Sequence, residues 1–293
     1  MVSKDLAGGE VAGGEDDLEV LRAAALLDPD EHEQWDVVHA FQKRADRSAF
    51  EAARVLVRAA DARERVIGLT ILAQFGSRAD RLFLEERLSI AIEACADPQA
   101  EVIRSAVLAL AHLGDPRGLA AALGQEGHPD EDVRQAVAFA LPSVGGDPAC
   151  PDAVAALIRL SGDRSDYVRD WATFGLGLES AGDGERIRRA LLERVGDPDR
   201  DTAAEAFLGL AQRGDRRMLS ALGVALEGPD PADKVIEAAA ELAAPELLPA
   251  LHRLKQRAGA DADLRASTID EAISACSAAA AAHAGGGPEP EAP

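Results

Sequence analysis

The chain has 293 residues, 47% of them hydrophobic but only 3% aromatic, and a formal net charge of −21 with a sequence pI near 4.6. Length and apolar content suffice for a large buried core, while the charge sets the average surface against phosphate backbones and anionic lipid. Alanine and leucine dominate, and no stretch alternates β-branched or aromatic residues with polar ones, so the expected fold class is all-α.

Residues 1–16 are rich in Gly and acid, without hydrophobic periodicity, and are expected to form a disordered acidic leader. From Asp17 the pattern turns helical: Leu18, Leu21, Ala25 and Leu26 share one face, a turn is expected at Asp28, Pro29 and Asp30, and Trp35, Val38 and Phe41 mark a second helix. Residues 17–47 therefore read as an N-terminal helical cap with Trp35 packed into the core, because a solenoid end must cover the apolar face of its terminal unit. Residues 48–284 read as a solenoid and residues 285–293 as a disordered tail.

The solenoid reading rests on repetition. The stretch from Asp163 to Leu178, DRSDYVRDWATFGLGL, shares its turn aspartate, Val-Arg pair and Ala/Leu ladder with segments beginning at Asp97, His128, Asp197 and Asp230. Aligned on Val102, Val133, Val168, Thr202 and Val235, the segments recur every 31, 35, 34 and 33 residues, the period of a stacked two-helix unit. Within each second (B) helix, positions 4, 7, 8 and 11 from that residue fall on one face. They carry Ala106, Ala109, Leu110 and Leu113, then Val137, Ala140, Leu141 and Val144, then Ala172, Gly175 and Leu176, then Ala206, Gly209 and Leu210. Asp97, Asp163, Asp197 and Asp230 are expected to cap the B helices, and Gly76 to close the first of them. The architecture implied is a right-handed α-solenoid of about seven antiparallel helix pairs.

The motif VRDWATFGLG at Val168–Gly177 and the phrase HPDEDVRQAVAFALPSV at His128–Val144 resemble HEAT repeats, more closely the bacterial HEAT-like repeats often labelled after phycobilin lyases. The resemblance runs from about Asp36 to Leu251 and weakens in the last two units, where Thr202 and Ala203 replace Val-Arg. It implies a fold and not a reaction.

Chemistry-bearing patterns are sparse. His32, His39, His112, His128, His252 and His283 show no i, i+3 or i+4 pairing of metal ligands; no cofactor or metal site is expected. Cys95, Cys150 and Cys276 are an odd number, far apart and without a C-x-x-C, which with the lack of a signal-type or spanning segment suits a cytoplasmic protein. GLGLESAG at Gly175–Gly182 lacks phosphate-loop spacing and continues a helix. Nothing argues for catalytic residues.

Two sets of residues remain. Arg134 and Arg169, and Arg104 by a one-residue offset, recur with turn acids Asp130, Asp163 and Asp166, and are expected to bridge adjacent units as a structural ladder or to grip a carboxylate on a partner. Positions 2, 6 and 9 of the B helices face away from the ladder, and position 6 holds Leu108, Phe139, Phe174 and Leu208. Either this line is buried between neighbouring B helices or it forms an apolar binding groove flanked by Arg104, Gln135, Asp170 and Trp171. The function expected is a non-enzymatic scaffold or adaptor holding a protein or peptide partner on its concave B-helix surface. A bilin-lyase-like enzyme or chromophore carrier is the alternative implied by the family resemblance. A third reading, by analogy with HEAT-like DNA glycosylases, needs a basic groove that the net charge opposes.

Overall fold

The computed structural model describes residues 14–27, 32–76, 81–146, 150–179, 182–258 and 263–285. Most of the expected leader, the turn at residues 28–30 and nearly all of the expected tail lie outside them. Among the described residues the secondary structure is helical throughout, with no strand. The chain forms two compact units, Met1–Ala156 and Leu157–Pro293.

In the first unit, α1 (Gly14–Ala25) and α2 (His32–Arg44) precede the pairs α3 (Arg47–Leu56) with α4 (Ala62–Ala73), α5 (Leu84–Ala94) with α6 (Ala100–Leu113), and the short α7 (Leu119–Leu123) with α8 (Glu131–Val144). The second helices α4, α6 and α8 pack side by side, each backed by its first helix, and α1 and α2 lie against α4. The unit boundary falls within α9 (Pro151–Leu160). The second unit contains α10 (Asp166–Phe174), extended by a π-helical turn over Gly175–Glu179, then α11 (Glu185–Arg194), α12 (Arg200–Ala211), α13 (Leu219–Glu227), α14 (Asp233–Leu242), α15 (Leu248–Ala258) and α16 (Asp263–Gly285). Here α10, α12, α14 and α16 form the side-by-side row, with α11, α13 and α15 behind them.

The ladder is the core. Val102, Ala106, Leu110, Val133, Val137, Leu141, Val168, Ala172, Leu176, Ala206 and Leu210 are all fully buried. Each face mixes small residues, which let helices approach, with leucines that fill the space between them. The closest approach joins the π turn to α12: a Cβ built on Gly209 would stand 2.6 Å from the Gly177 Cα. Glycine at both places is what permits this crossing. Leu113, at the end of its ladder, is only half-buried.

Buried arginines satisfy the carbonyls that helix ends leave over. Arg87 donates to the carbonyls of Leu72 (2.6 Å), Ala73 (3.0 Å), Phe75 (3.3 Å) and Leu82 (3.1 Å), closing the end of α4. Burial pulls its pKa down to about 10, which still leaves it charged at neutral pH. Arg213 does the same for the π turn, reaching the carbonyls of Leu176, Gly177, Gly182 and Gly209 at 2.6–2.9 Å. Gly76 has a φ of +72° and donates its N–H to the Gln42 carbonyl (2.9 Å), two residues beyond the Gln74 C-cap of α4.

The turn aspartates depart from expectation. The N-cap residues of α6, α8, α10 and α12 are Gln99, Asp130, Ser165 and Asp199, so Asp97, Asp163 and Asp197 sit two residues too early to cap. Each instead accepts the N–H two residues on, at 2.9–3.0 Å, which folds the turn before the helix. For α14 the cap position belongs to Ala232, not Asp230.

Candidate functional site

Four residues after the N-caps of α4, α8 and α10 stand Arg65, Arg134 and Arg169. Each reaches back to the carbonyls at the entry of its own helix: Arg65 to Ala59 and Ala60, Arg134 to His128 and Pro129, Arg169 to Asp163 and Arg164. Arg65 and Arg169 also reach forward to the turn aspartate of the next repeat. Arg65 meets Asp97 at 2.8 and 3.0 Å, and Arg169 meets Asp197 at 2.8 and 2.9 Å, with Arg169 only 12% and Asp197 2% exposed at the side chain. Burial works to raise the Asp197 pKa, and the bonds from Arg169 and from the Asp199 N–H outweigh it and hold the carboxyl below its usual range. These paired arginines therefore tie repeat to repeat and have few donors left for a partner.

Arg104 is not of this set. The equivalent place in α6 belongs to Ile103, which is buried, and Arg104 is exposed one position on. Asp130 is spent on capping, accepting from the Asp132 N–H (2.9 Å), and Asp166 accepts from the Tyr167 N–H (3.0 Å). Arg65 escaped the sequence reading because Glu64 precedes it where a valine precedes Arg134 and Arg169. Counting from the capping aspartate, Asp61, finds it.

The position-6 line divides between the two expectations. Leu108, Phe139 and Phe174 are half-buried, with part of each side chain open to solvent, whereas Leu208 is 9% exposed and packs away. Positions 2 and 9 are not outward where alanine occupies them, since Ala111, Ala204 and Ala211 are buried.

In the first unit the open part of this face is a groove of about 480 Å³ across α2, α4 and α6, lined by Trp35, Val38, Val66, Ile67, Arg104 and Leu108 among others. Trp35 is 45% exposed, which overturns the expectation that it fills the core; Val38 and Phe41 do the filling, at 0% and 4%. His112 lies at the far end of the groove, 6.2 Å edge-on to the Phe139 ring, and the half-buried Gln135 precedes Phe139 by one turn of α8.

In the second unit the same face is aromatic and charged. Tyr167, Asp170, Trp171 and Phe174 follow i, i+3, i+4, i+7 spacing along α10. Tyr167 is 68% exposed, Trp171 is half-buried and stands edge-on to Phe174 with centroids 5.8 Å apart. Next to them, Glu205 of α12 is 4% exposed and pairs through Oε1 with Lys234 of α14, whose Nζ lies 5.7 Å from the Phe174 ring centre. Asp170 Oδ1 and Glu205 Oε2 are buried oxygens that accept no hydrogen bond. Burial, then the nearby charges of Glu205, Asp199 and Asp201, push Asp170 up to about 6. Burial likewise raises Glu205, against the pull of Lys234. Tyr167, Glu205 and Lys234 were missed from sequence; helical spacing from Trp171 could have found Tyr167, but pairing across helices has no local signal.

No group of three or more His, Cys, Asp or Glu residues among the described residues is placed to hold a metal ion. Cys95, Cys150 and Cys276 are free thiols, two of them buried. No described helix is long and apolar enough to cross a membrane.

Within each unit, antiparallel helix pairs stacked side by side, and tied by arginine to the next turn, define an α-solenoid repeat fold. Residues 88–177 match the family model described as HEAT repeats. Protein YibA of Escherichia coli (strain K12) is 36% identical to this chain over 140 residues, 48% of either sequence; the chain spans about half the length of the curated relatives it matches. The X-ray structure of E. coli YibA superposes with a TM-score of 0.67 at 23% identity, over 91% of this chain and 99% of that one. The crystal structure of an engineered protein gives a TM-score of 0.52 at 15% identity, over 89% of this chain and 78% of that one. At such identities the superpositions establish the fold alone.

Proposed function

We propose that the protein is a non-enzymatic scaffold that holds a protein or peptide partner on the B-helix face of its repeats. The observation that carries this is the groove of the first unit, which a tryptophan that is 45% exposed lines together with Val38, Val66, Ile67 and Leu108. A half-open apolar trough with a large rigid aromatic at its rim offers a desolvated anchor point at low entropic cost. The paired arginines keep the flanking turns in place, so the face is presented on rigid helices. The reading requires no cofactor. A cytoplasmic setting suits three free, unpaired cysteines.

The test is to replace Leu108 by Ser and Trp35 by Ala, separately, and compare each with the parent chain for partner capture at matched folded fraction. The scaffold reading expects both variants to lose the partner while keeping the helical circular dichroism. Capture unchanged in both would contradict it. The same preparations mixed with a tetrapyrrole should show no retained visible absorbance; retention would move the function to the bilin-lyase alternative.

A further inference from the structure

The aromatic and charged face of the second unit contains one cation too few. Glu205 and Asp170 sit on neighbouring helices α10 and α12, yet Lys234 is the cation that meets this pair, and it meets only Glu205 Oε1. Asp170 Oδ1 and Glu205 Oε2 are left buried without a donor. A buried polar atom without a partner costs stability and is rare in native proteins unless a ligand, ion or water completes it. Glu205 is buried to within 4% of its surface, so this is not a solvated acidic patch. The described residues offer no three-ligand set for a metal, and the wall of the site is aromatic. Tyr167, 68% exposed, and the half-buried Trp171 lie on either side of Asp170 along α10.

Lys234 shows what the place prefers. Its Nζ lies against a carboxylate and at 5.7 Å from the ring centre of Phe174, the two contacts a cationic side chain makes in an aromatic cage. Its side chain is 41% exposed, so the long stem can swing aside without leaving a hole in the core.

We infer that this site receives a guanidinium group of a partner polypeptide, an arginine side chain that donates to the free oxygens of Asp170 and Glu205 and stacks on Trp171 or Tyr167. Arginine fits better than lysine because a planar fork serves two carboxylates at once and stacks on a ring. The acidic chain as a whole, at −21, steers such a partner inward. The inference deepens the scaffold reading and rests on it, naming the chemistry of the partner, but it uses a different unit and different residues from the groove.

The probe is a blocked, fluorescently labelled tetra-arginine peptide, titrated by anisotropy in physiological salt against the full chain and its variants. Asp170→Asn should weaken binding about tenfold, the worth of one charge-assisted hydrogen bond. Glu193→Gln, which removes one negative charge on exposed α11, should change it less than about twofold. Lys234→Ala should tighten binding, because it removes the resident competitor. Equal weakening by Asp170→Asn and Glu193→Gln would show diffuse attraction to an acidic surface and overturn the site, as would absence of binding by the parent chain. A silent peptide combined with loss of the partner in Leu108→Ser would remove this inference and leave the scaffold reading standing.

Discussion

The B-helix faces of the two units are built on one framework and carry opposite chemistries. In the first unit the face is a groove lined by Trp35 and aliphatic side chains; in the second it is an aromatic stripe beside unmatched carboxylates. The ladder residues beneath are mostly Ala, Val and Leu in both, with glycine where α10's π turn crosses α12. Packing therefore dictates positions 0, 4, 7, 8 and 11 of each B helix and leaves the outer positions free to differ. What a repeat protein binds is written at the places its core does not use.

The largest expected effect tests the shared framework. Arg87→Ala in the first unit removes the donor from three buried carbonyls and one half-buried one and should cost about 3 kcal/mol in urea unfolding. Gly209→Ala in the second unit forces apart the Gly177 crossing and should cost about 1–3 kcal/mol. Arg169→Ala should cost a similar amount, about 1–3 kcal/mol, by leaving the buried Asp197 carboxylate with only Arg194 and the Asp199 N–H to answer it. If any of the three leaves the denaturation midpoint in place, the framework is not held as described.

The next effect has the opposite sign and belongs to the second unit alone. Asp170 is raised from the usual carboxylate range to about 6, burial being the larger cause. Its charged form is thus disfavoured in the folded chain, so stability is lost as pH rises from about 4 to about 6. Asp170→Asn should stabilise the protein by about 1–2 kcal/mol at pH 7.5 and by nothing measurable at pH 4. A variant less stable than the parent at pH 7.5 would show that Asp170 has a partner after all. The smallest effect is in the first unit: Trp35→Ala, at a residue 45% exposed, should lower stability by less than about 1 kcal/mol. A large loss would return Trp35 to the core.

Much of this fold was legible because a 3.6-residue period of small and aliphatic residues has one physical meaning, and Ala106, Val137, Ala172 and Ala206 are buried where that period places them. The turn aspartates misled because an aspartate before a helix can fold the turn or cap the helix. Asp97 and Asp197 do the first; Asp199 caps α12, while Gln99 holds the N-cap position of α6 without a side-chain capping bond. The site was less legible. That Leu208 packs away while Phe174 stays half open depends on how neighbouring helices cross, as at Gly177 and Gly209, and not on either helix's own pattern. Trp35 was misplaced for a related reason: an aromatic on an amphipathic helix reads as core until the width of the partner surface is known.

The central claim is that the B-helix face, not the outer layer, is the working surface. Photo-reactive side chains placed singly at Trp35, Trp171, Val55 and Val224 test it directly, since Val55 on α3 and Val224 on α13 are the comparably exposed apolar positions of the first-helix layer, at 43% and 70%. The account predicts a discrete cross-linked species from positions 35 and 171 and none from positions 55 and 224. The same species from the outer positions alone would contradict it.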